Sequence, residues 1–298
     1  MPLRKRIFCL LYLVFFLISP GLAKAKQDGQ NIQGKKIPGH GLSLKLYGGV
    51  NDIAVRDLNK GLEGLIDLWN VPHGIAVTGK YDPVHFGPDL GGELIINLTP
   101  RLGIGLGIGY IQARKASTVE IADSEDSTEP THFYTDILSP SVRAIPLTLG
   151  LHYDVWTGGW FNLEVSSGIG LYLGKVGLDD IWREKGSSIS DQRSWDGTSQ
   201  AIGFHVGLGM ELHLSPSISF VVDVLGRHGK LRNIKGDLIE NGSTTKDAVL
   251  WFCEQGAYPL IVIDDSPPPA WRYSSIRKGE ADLSGVSARV GIKIKFQR

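Results

Sequence analysis

The sequence predicts an all-β chain: an eight-stranded antiparallel up-and-down transmembrane β-barrel with short periplasmic turns and long outer loops. Three observations carry this expectation. Long runs alternate apolar with small or polar residues at period two, as strands with two unlike faces do. The connections between runs are alternately long and short, the asymmetry of a membrane barrel. Finally, the apolar parity is nearly uncharged, whereas the opposite parity is mostly Gly and Ser with charges of both signs. That polarity suits lipid outside and a narrow, side-chain-filled interior.

The chain has 298 residues, 38 of them glycine, with 31 basic and 31 acidic side chains. No stretch reaches the roughly 18 consecutive apolar residues of a membrane-spanning helix. Arg4, Lys5 and Arg6 precede an apolar run over residues 7–18, broken by Ser19-Pro20-Gly21 before Ala23-Lys24-Ala25. This is the layout of a secretory signal peptide over 1–25, and it predicts export to the cell outer membrane. An uncleaved N-terminal anchor is the alternative, disfavoured by the short apolar run. Cys9 lies early in that run and not at the cleavage point, so no lipoprotein is expected. Loss of Arg4, Lys5, Arg6 and Lys24 leaves a net charge of −4 and a single cysteine, Cys253. An intramolecular disulfide is then excluded. Without a basic patch, no nucleic-acid partner is expected. Residues 26–39 read as a flexible periplasmic segment and 40–298 as the barrel domain.

The first strand, 40–51, sets Leu42, Leu44, Leu46 and Val50 against Ser43, Lys45 and Tyr47. In the connection 52–82, Val55, Leu58, Leu62, Leu65, Ile66 and Trp69 fall at helical spacing. A short amphipathic helix is predicted, with Asn51 or Asp52 as its N-cap and Pro72, Gly74 and Gly79 ending it. The first hairpin sets Leu90, Leu94, Ile96 and Leu98 against Gly91, Glu93 and Asn97, and turns at Thr99-Pro100-Arg101. It returns with Leu102, Ile104, Leu106, Ile108 and Tyr110 alternating with Gly103, Gly105, Gly107 and Gly109. Glycine weakens a strand in water, but it leaves room in a narrow lumen.

A polar stretch, 117–138, holds Glu120, Asp123, Glu125, Asp126, Glu129 and Asp136 without Lys or Arg. It reads as a solvated outer loop; the sharper alternative is a divalent-cation site of the kind that bridges lipopolysaccharide phosphates. The second hairpin opposes Ile145, Leu147, Leu149, Leu151 and Tyr153 to Thr148, Gly150, His152 and Asp154, and turns at residues 156–160. It returns through Phe161, Leu163, Val165, Ile169, Leu171 and Leu173, opposed by Asn162, Glu164, Ser166, Gly168, Gly170 and Tyr172. A polar loop over 178–199, with Trp182 and Trp195, follows. In the third hairpin, Ile202 to Leu214 on even positions alternate with Gly203, His205, Gly207, Gly209, Glu211 and His213. After Ser215-Pro216-Ser217, Ile218, Phe220, Val222 and Val224 oppose Ser219, Asp223 and Arg227. In the connection 236–282, the apolar parts 248–252 and 260–263 either extend the flanking strands or pair together. Pro267-Pro268-Pro269 forbids regular structure locally. The final strand sets Val286, Ala288, Val290, Ile292, Ile294 and Phe296 against Gly285, Ser287, Arg289, Gly291, Lys293 and Lys295.

These parities send Lys45, Glu93, Glu164, Glu211, Asp223, Arg289 and Lys293 into the lumen. Buried charges must be paired, so one nearly balanced network and no water-filled pore are expected. A soluble lipocalin-like ligand binder would reverse the polarity, with apolar residues inside and charges outside.

With its strand count, its short-turn placement and its closing VGIKIKF run, the chain resembles the small eight-stranded outer-membrane barrels, the OmpA/OmpW-like beta-barrel family. The likeness covers residues 41–298. Members usually end on an aromatic residue, whereas here Gln297 and Arg298 follow Phe296. The peptidoglycan-anchoring role of the longer relatives is not implied.

Chemistry is sparse. LGIGLGIGY is not a G-x-G-x-x-G fingerprint, because Ile108 stands where the third glycine belongs. His213-Leu214-Ser215 has a spacing suggestive of lipid A-modifying enzymes, but it falls at a periplasmic turn. His152 and His205 read as structural lumen groups. Tyr110, Tyr153, Trp156, Trp160 and Phe161 read as interfacial girdles. No catalytic, cofactor or metal residue is predicted. The expected function is a non-enzymatic, monomeric integral outer-membrane protein with a structural or surface-interaction role. Its partners would be outer-membrane lipid, lipopolysaccharide and an unidentified extracellular partner of the loops. The competing readings are a narrow channel for small hydrophobic solutes, a lipid A-modifying enzyme and the lipocalin-like binder.

Overall fold

The computed structural model describes residues 41–70, 75–123, 132–186 and 190–296. The expected signal peptide and N-terminal segment therefore lie outside the described residues. The first half contains β1 (Gly41–Ile53), α1 (Arg56–Trp69), β2 (Ile75–Thr78), β3 (Phe86–Asn97), β4 (Leu102–Arg114), β5 (Ser117–Asp123) and β6 (His132–Thr157). Then come β7 (Phe161–Glu184), β8 (Ser190–His213), β9 (Ile218–His228), β10 (Lys230–Leu231) and β11 (Lys235–Glu240). The chain closes with β12 (Ser243–Gln255), β13 (Tyr258–Asp264), β14 (Ser274–Lys278), β15 (Ala281–Asp282) and β16 (Gly285–Phe296).

Antiparallel pairing runs β1–β3–β4–β6–β7–β8–β9–β16 and returns from β16 to β1. The short connections after β3, β6 and β8 share one end of this ring, and the longer connections share the other. On the ring, the expected faces hold. Leu46, Leu90, Leu106, Leu149, Ile169, Leu208 and Ile292 are exposed, while Ser43, Lys45, His152, Glu164, Glu211 and Lys293 are buried.

The count of eight strands is corrected to sixteen among the described residues. The stretches over 117–138 and 178–199 are not loops along their length: β5 and the upper parts of β6, β7 and β8 occupy most of them. β6, β7 and β8 run for 26, 24 and 24 residues, against the roughly 9–11 that cross a bilayer. Midway they exchange polarity. Inward positions of β6 change from His152 and Thr148 to Ala144, Val142 and Leu138, all enclosed. Outward positions change from Leu147 and Ile145 to the exposed Arg143. Above this level the solvent is water, so the apolar residues must turn inward.

The upper interior is a continuous apolar core. Ile111, Ala113, Val119, Leu138, Val142, Val176 and Trp195 from the walls pack with Leu58, Leu62 and Ile66 of α1. Leu231, Ile234 and Leu283 complete it. Gly61 and Gly64 of α1 lie so close to β13 that an added Cβ would collide with Ile261 and with the Pro259 carbonyl. Trp69 meets Trp182 edge-on, with ring centroids 4.9 Å apart.

The expected helix cap is also corrected. β1 continues through Ile53, so Asn51 and Asp52 lie within a strand. The cap is Val55, at φ 38°, with no side-chain hydrogen bond. Its N–H donates instead to the Asp282 carbonyl at 2.9 Å, and the Asn51 amide donates to the carbonyls of Gly87 and Pro88. In the last long connection, residues 248–252 and 260–263 pair with each other in β12 and β13. β11 extends the wall beside β8, and residues 267–269 have no regular structure.

Candidate functional site

The lumen below the apolar core is polar because the inward parities of the ring strands carry its charges. Glycines on the same parities, such as Gly105 and Gly209, leave the space those side chains occupy: an added Cβ would meet Glu93 or Asp223.

The seven predicted residues form three groups. The lowest is a string. His152 Nε2 lies 2.8 Å from Glu93 Oε1, and its Nδ1 lies 2.7 Å from Glu164 Oε1. Both partners are acceptors when ionised, so both ring nitrogens donate. Lys293 Nζ continues the string to Glu164 at 3.3 Å and Glu211 at 2.9 Å. Glu211 also meets Lys295 and His213. Beside the string, Lys45 reaches past β16 to Asp223, at 2.6 Å.

Arg289 belongs to neither. It donates through Nε and Nη2 to Asp89 Oδ2 at 3.1 and 3.0 Å, and its guanidinium stacks 4.3 Å from the Tyr47 ring. The same carboxylate accepts from Arg227 and from the Ser287 hydroxyl. The expectation of one network thus resolves into a string, a pair and a cluster on Asp89. Asp89 and the bridging role of His152 were missed. The available signal was parity, since Asp89 shares the face of Glu93 and Arg227 that of Asp223.

Between the groups lies a cavity of about 40 Å³ lined by Lys45, Tyr47, Glu93, His152, His205, Asp223, Arg227 and Arg289, among others. That is room for about three waters. A smaller void of about 10 Å³ adjoins Glu164, Asp223 and Lys293.

The predicted acidic loop is only partly in view. Glu120 is exposed on β5, Asp123 ends that strand, and Glu125, Asp126 and Glu129 lie outside the described residues. Among the described residues no group of three or more His, Cys, Asp or Glu side chains is placed to hold a metal ion. His213 does not face Ser215, whose hydroxyl instead accepts from turn amides. Its Nδ1 lies 3.1 Å from Ser219 Oγ and its Nε2 3.3 Å from Asn162 Oδ1. That is the order of nucleophile, base and orienting group, but Ser219 is wholly enclosed. Cys253 is a free thiol, also buried.

Antiparallel pairing that returns on itself, apolar side chains outward over the lower ring and ion pairs inward define an outer-membrane barrel. The family model for the outer membrane protein beta-barrel domain matches residues 19–247, and the chain belongs to that family. The protein resides in the outer membrane. Among solved structures it is similar to the outer membrane protein OprG from Pseudomonas aeruginosa, at 13% identity and a TM-score of 0.39. That match covers 90% of this chain and 100% of the other. The outer membrane protease OmpT from Escherichia coli is 11% identical with a TM-score of 0.34, covering 89% of this chain and 99% of the other. No curated protein matches the chain.

Proposed function

We propose that the chain is a non-enzymatic, plugged transmembrane barrel whose lipid-facing wall is the ring of eight of its strands that returns from β16 to β1. Its short turns face the periplasm and its long connections the cell exterior, and it serves as an envelope-stabilising protein that displays an ordered outer headpiece. The observation that supports this reading is the double filling of the lumen. Ion pairs occupy the lower level and an apolar core seated on α1 the upper, and the cavity among the ion pairs is only about 40 Å³. Solute passage would require breaking both. The enclosure of Ser219 denies an acyl chain access to the Ser–His–Asn order around His213. Planar-bilayer recording on the folded protein tests the reading. Absence of sustained conductance is expected; steady, sizeable conductance would replace it with the narrow channel.

A further inference from the structure

The lipid-facing band ends on one wall in a row of cations. Going up the outward face, the last apolar residues are Tyr110 on β4, Ile145 on β6 and Leu173 on β7. The next outward positions are Gln112, Arg143 and Lys175, which are direct partners across the strands: Gln112 faces Arg143, and Arg143 faces Lys175. One step higher, Arg114 pairs in register with Ser141 and so stands diagonally from Arg143. Two strand spacings, roughly 10 Å, contain all three cations.

This placement is unfavourable unless an anion is present, because like charges directly opposite on neighbouring strands destabilise a sheet. Within the fold the compensation is incomplete. Lys175 has Asp196 at 3.1 Å, with both side chains half exposed. Arg114 and Arg143 are exposed and form no ion pair among the described residues. Other cations of the outer half do find acids, as Lys115 finds Asp82, Arg232 finds Glu280 and Arg277 finds Asp57. The row is also one-sided. At the corresponding height the opposite wall carries Asp52 on β1 and Ser284 before β16.

We propose that Arg114, Arg143 and Lys175 bind the phosphate of a phosphorylated glycolipid of the outer leaflet, whose acyl chains lie along the apolar face below them. The height fits, since the row sits where the hydrocarbon gives way to headgroups. The chemistry fits as well: guanidinium groups take phosphate oxygens in pairs, and the ammonium adds a point charge. The proposal rests on the reading that the long connections face outward.

The test uses the full chain folded in a neutral detergent and titrated with bisphosphorylated lipid A, with dephosphorylated lipid A and with inorganic phosphate. Preference for the phosphorylated lipid is expected, with no displacement by equimolar inorganic phosphate. The double variant Arg143→Gln, Lys175→Gln should lose affinity at least roughly tenfold, the loss expected of one charge-assisted hydrogen bond. Arg183→Gln, an exposed cation higher on the same β7 face, should bind as the parent does. Equal affinity for both lipids, an unaffected double variant or displacement by equimolar phosphate would each overturn the site. Orientation is read separately, by labelling Ser243→Cys at the β11–β12 turn in intact cells with an impermeant maleimide. Failure of that labelling would overturn the outward orientation whatever the lipid titration gives.

Discussion

Arg227 Nη1 stands 3.3 Å from Asp89 Oδ2, each side chain 1% exposed, although 138 positions separate the two in sequence. Because Arg289 and Ser287 share that carboxylate, one acid fastens β3 to β9 and β16. Asp89→Asn would leave two buried guanidinium groups without their counter-charge. A loss of about 3–5 kcal/mol is expected, the usual result of removing one partner of a buried ion pair. The urea midpoint of the folded species on unboiled gels measures it, and a midpoint equal to the parent's would show that Asp89 is not the fastening.

The two faces of β4 give opposite outcomes at neighbouring positions. Leu106 is 58% exposed in the middle of the apolar band, so Leu106→Arg should cost roughly 2–4 kcal/mol in lipid. Gly107 faces inward, and a side chain there would collide with Thr148 Oγ1. Gly107→Leu should therefore also destabilise, by overfilling, at about 1–3 kcal/mol. Refolding into vesicles at graded urea reads both; a harmless Leu106→Arg would reverse the assignment of faces.

Asp136 lies on the upper part of β6, above the lipid band, fully enclosed and with no donor to either oxygen among the described residues. Burial, with the Asp180 carboxyl beside it, pushes its pKa from 3.8 up to about 9. The folded chain then holds a proton that the unfolded chain releases, so the contribution of this group to stability is fully present below about pH 4 and is lost as the pH rises towards 9. Asp136→Asn removes the titration. Its midpoint should stay level between about pH 5 and 9 and exceed the parent's at the upper end. A parent midpoint constant over that range would show that the group does not hold its proton.

Much of the lower ring is legible in the sequence, because lipid demands one uninterrupted apolar parity, as Leu102 to Tyr110 and Ile145 to Tyr153 display. The upper strands were hidden by the same rule. Once water replaces lipid outside, a strand such as residues 190–199 turns Asp196 and Thr198 outward and reads as a loop, although Trp195 is enclosed. The lumen partners were legible as a set but not as pairs. Parity places Arg289 inside, yet its choice of Asp89 over Asp223 depends on how far each side chain reaches across the ring. The helix was visible from its apolar spacing; the function of its two glycines was not, since nothing local names β13 as the neighbour.

Those glycines give a further prediction. Gly61→Leu should lift α1 from Ile261, whereas Leu65→Ala, at a half-buried position, should disturb the seat far less. Lifting the helix opens the upper core without dismantling the lipid-facing ring. Limited proteolysis of the folded protein should then cut between β12 and β14 at a higher rate while the membrane-protected fragment survives. Parent-like resistance of Gly61→Leu would mean that the helix seats elsewhere.

The exchange of polarity along β6, β7 and β8 also bears on how faithfully the strands align. In a sheet with a single environment, slipping one position misplaces one set of side chains. Here a single step along β6 would turn Leu147 and Leu149 toward the lumen ion pairs and at the same time bring Val142 and Leu138 out into water. The two errors add, and no other alignment satisfies both solvents. A strand long enough to invite sliding is thereby held to one alignment by the boundary it crosses.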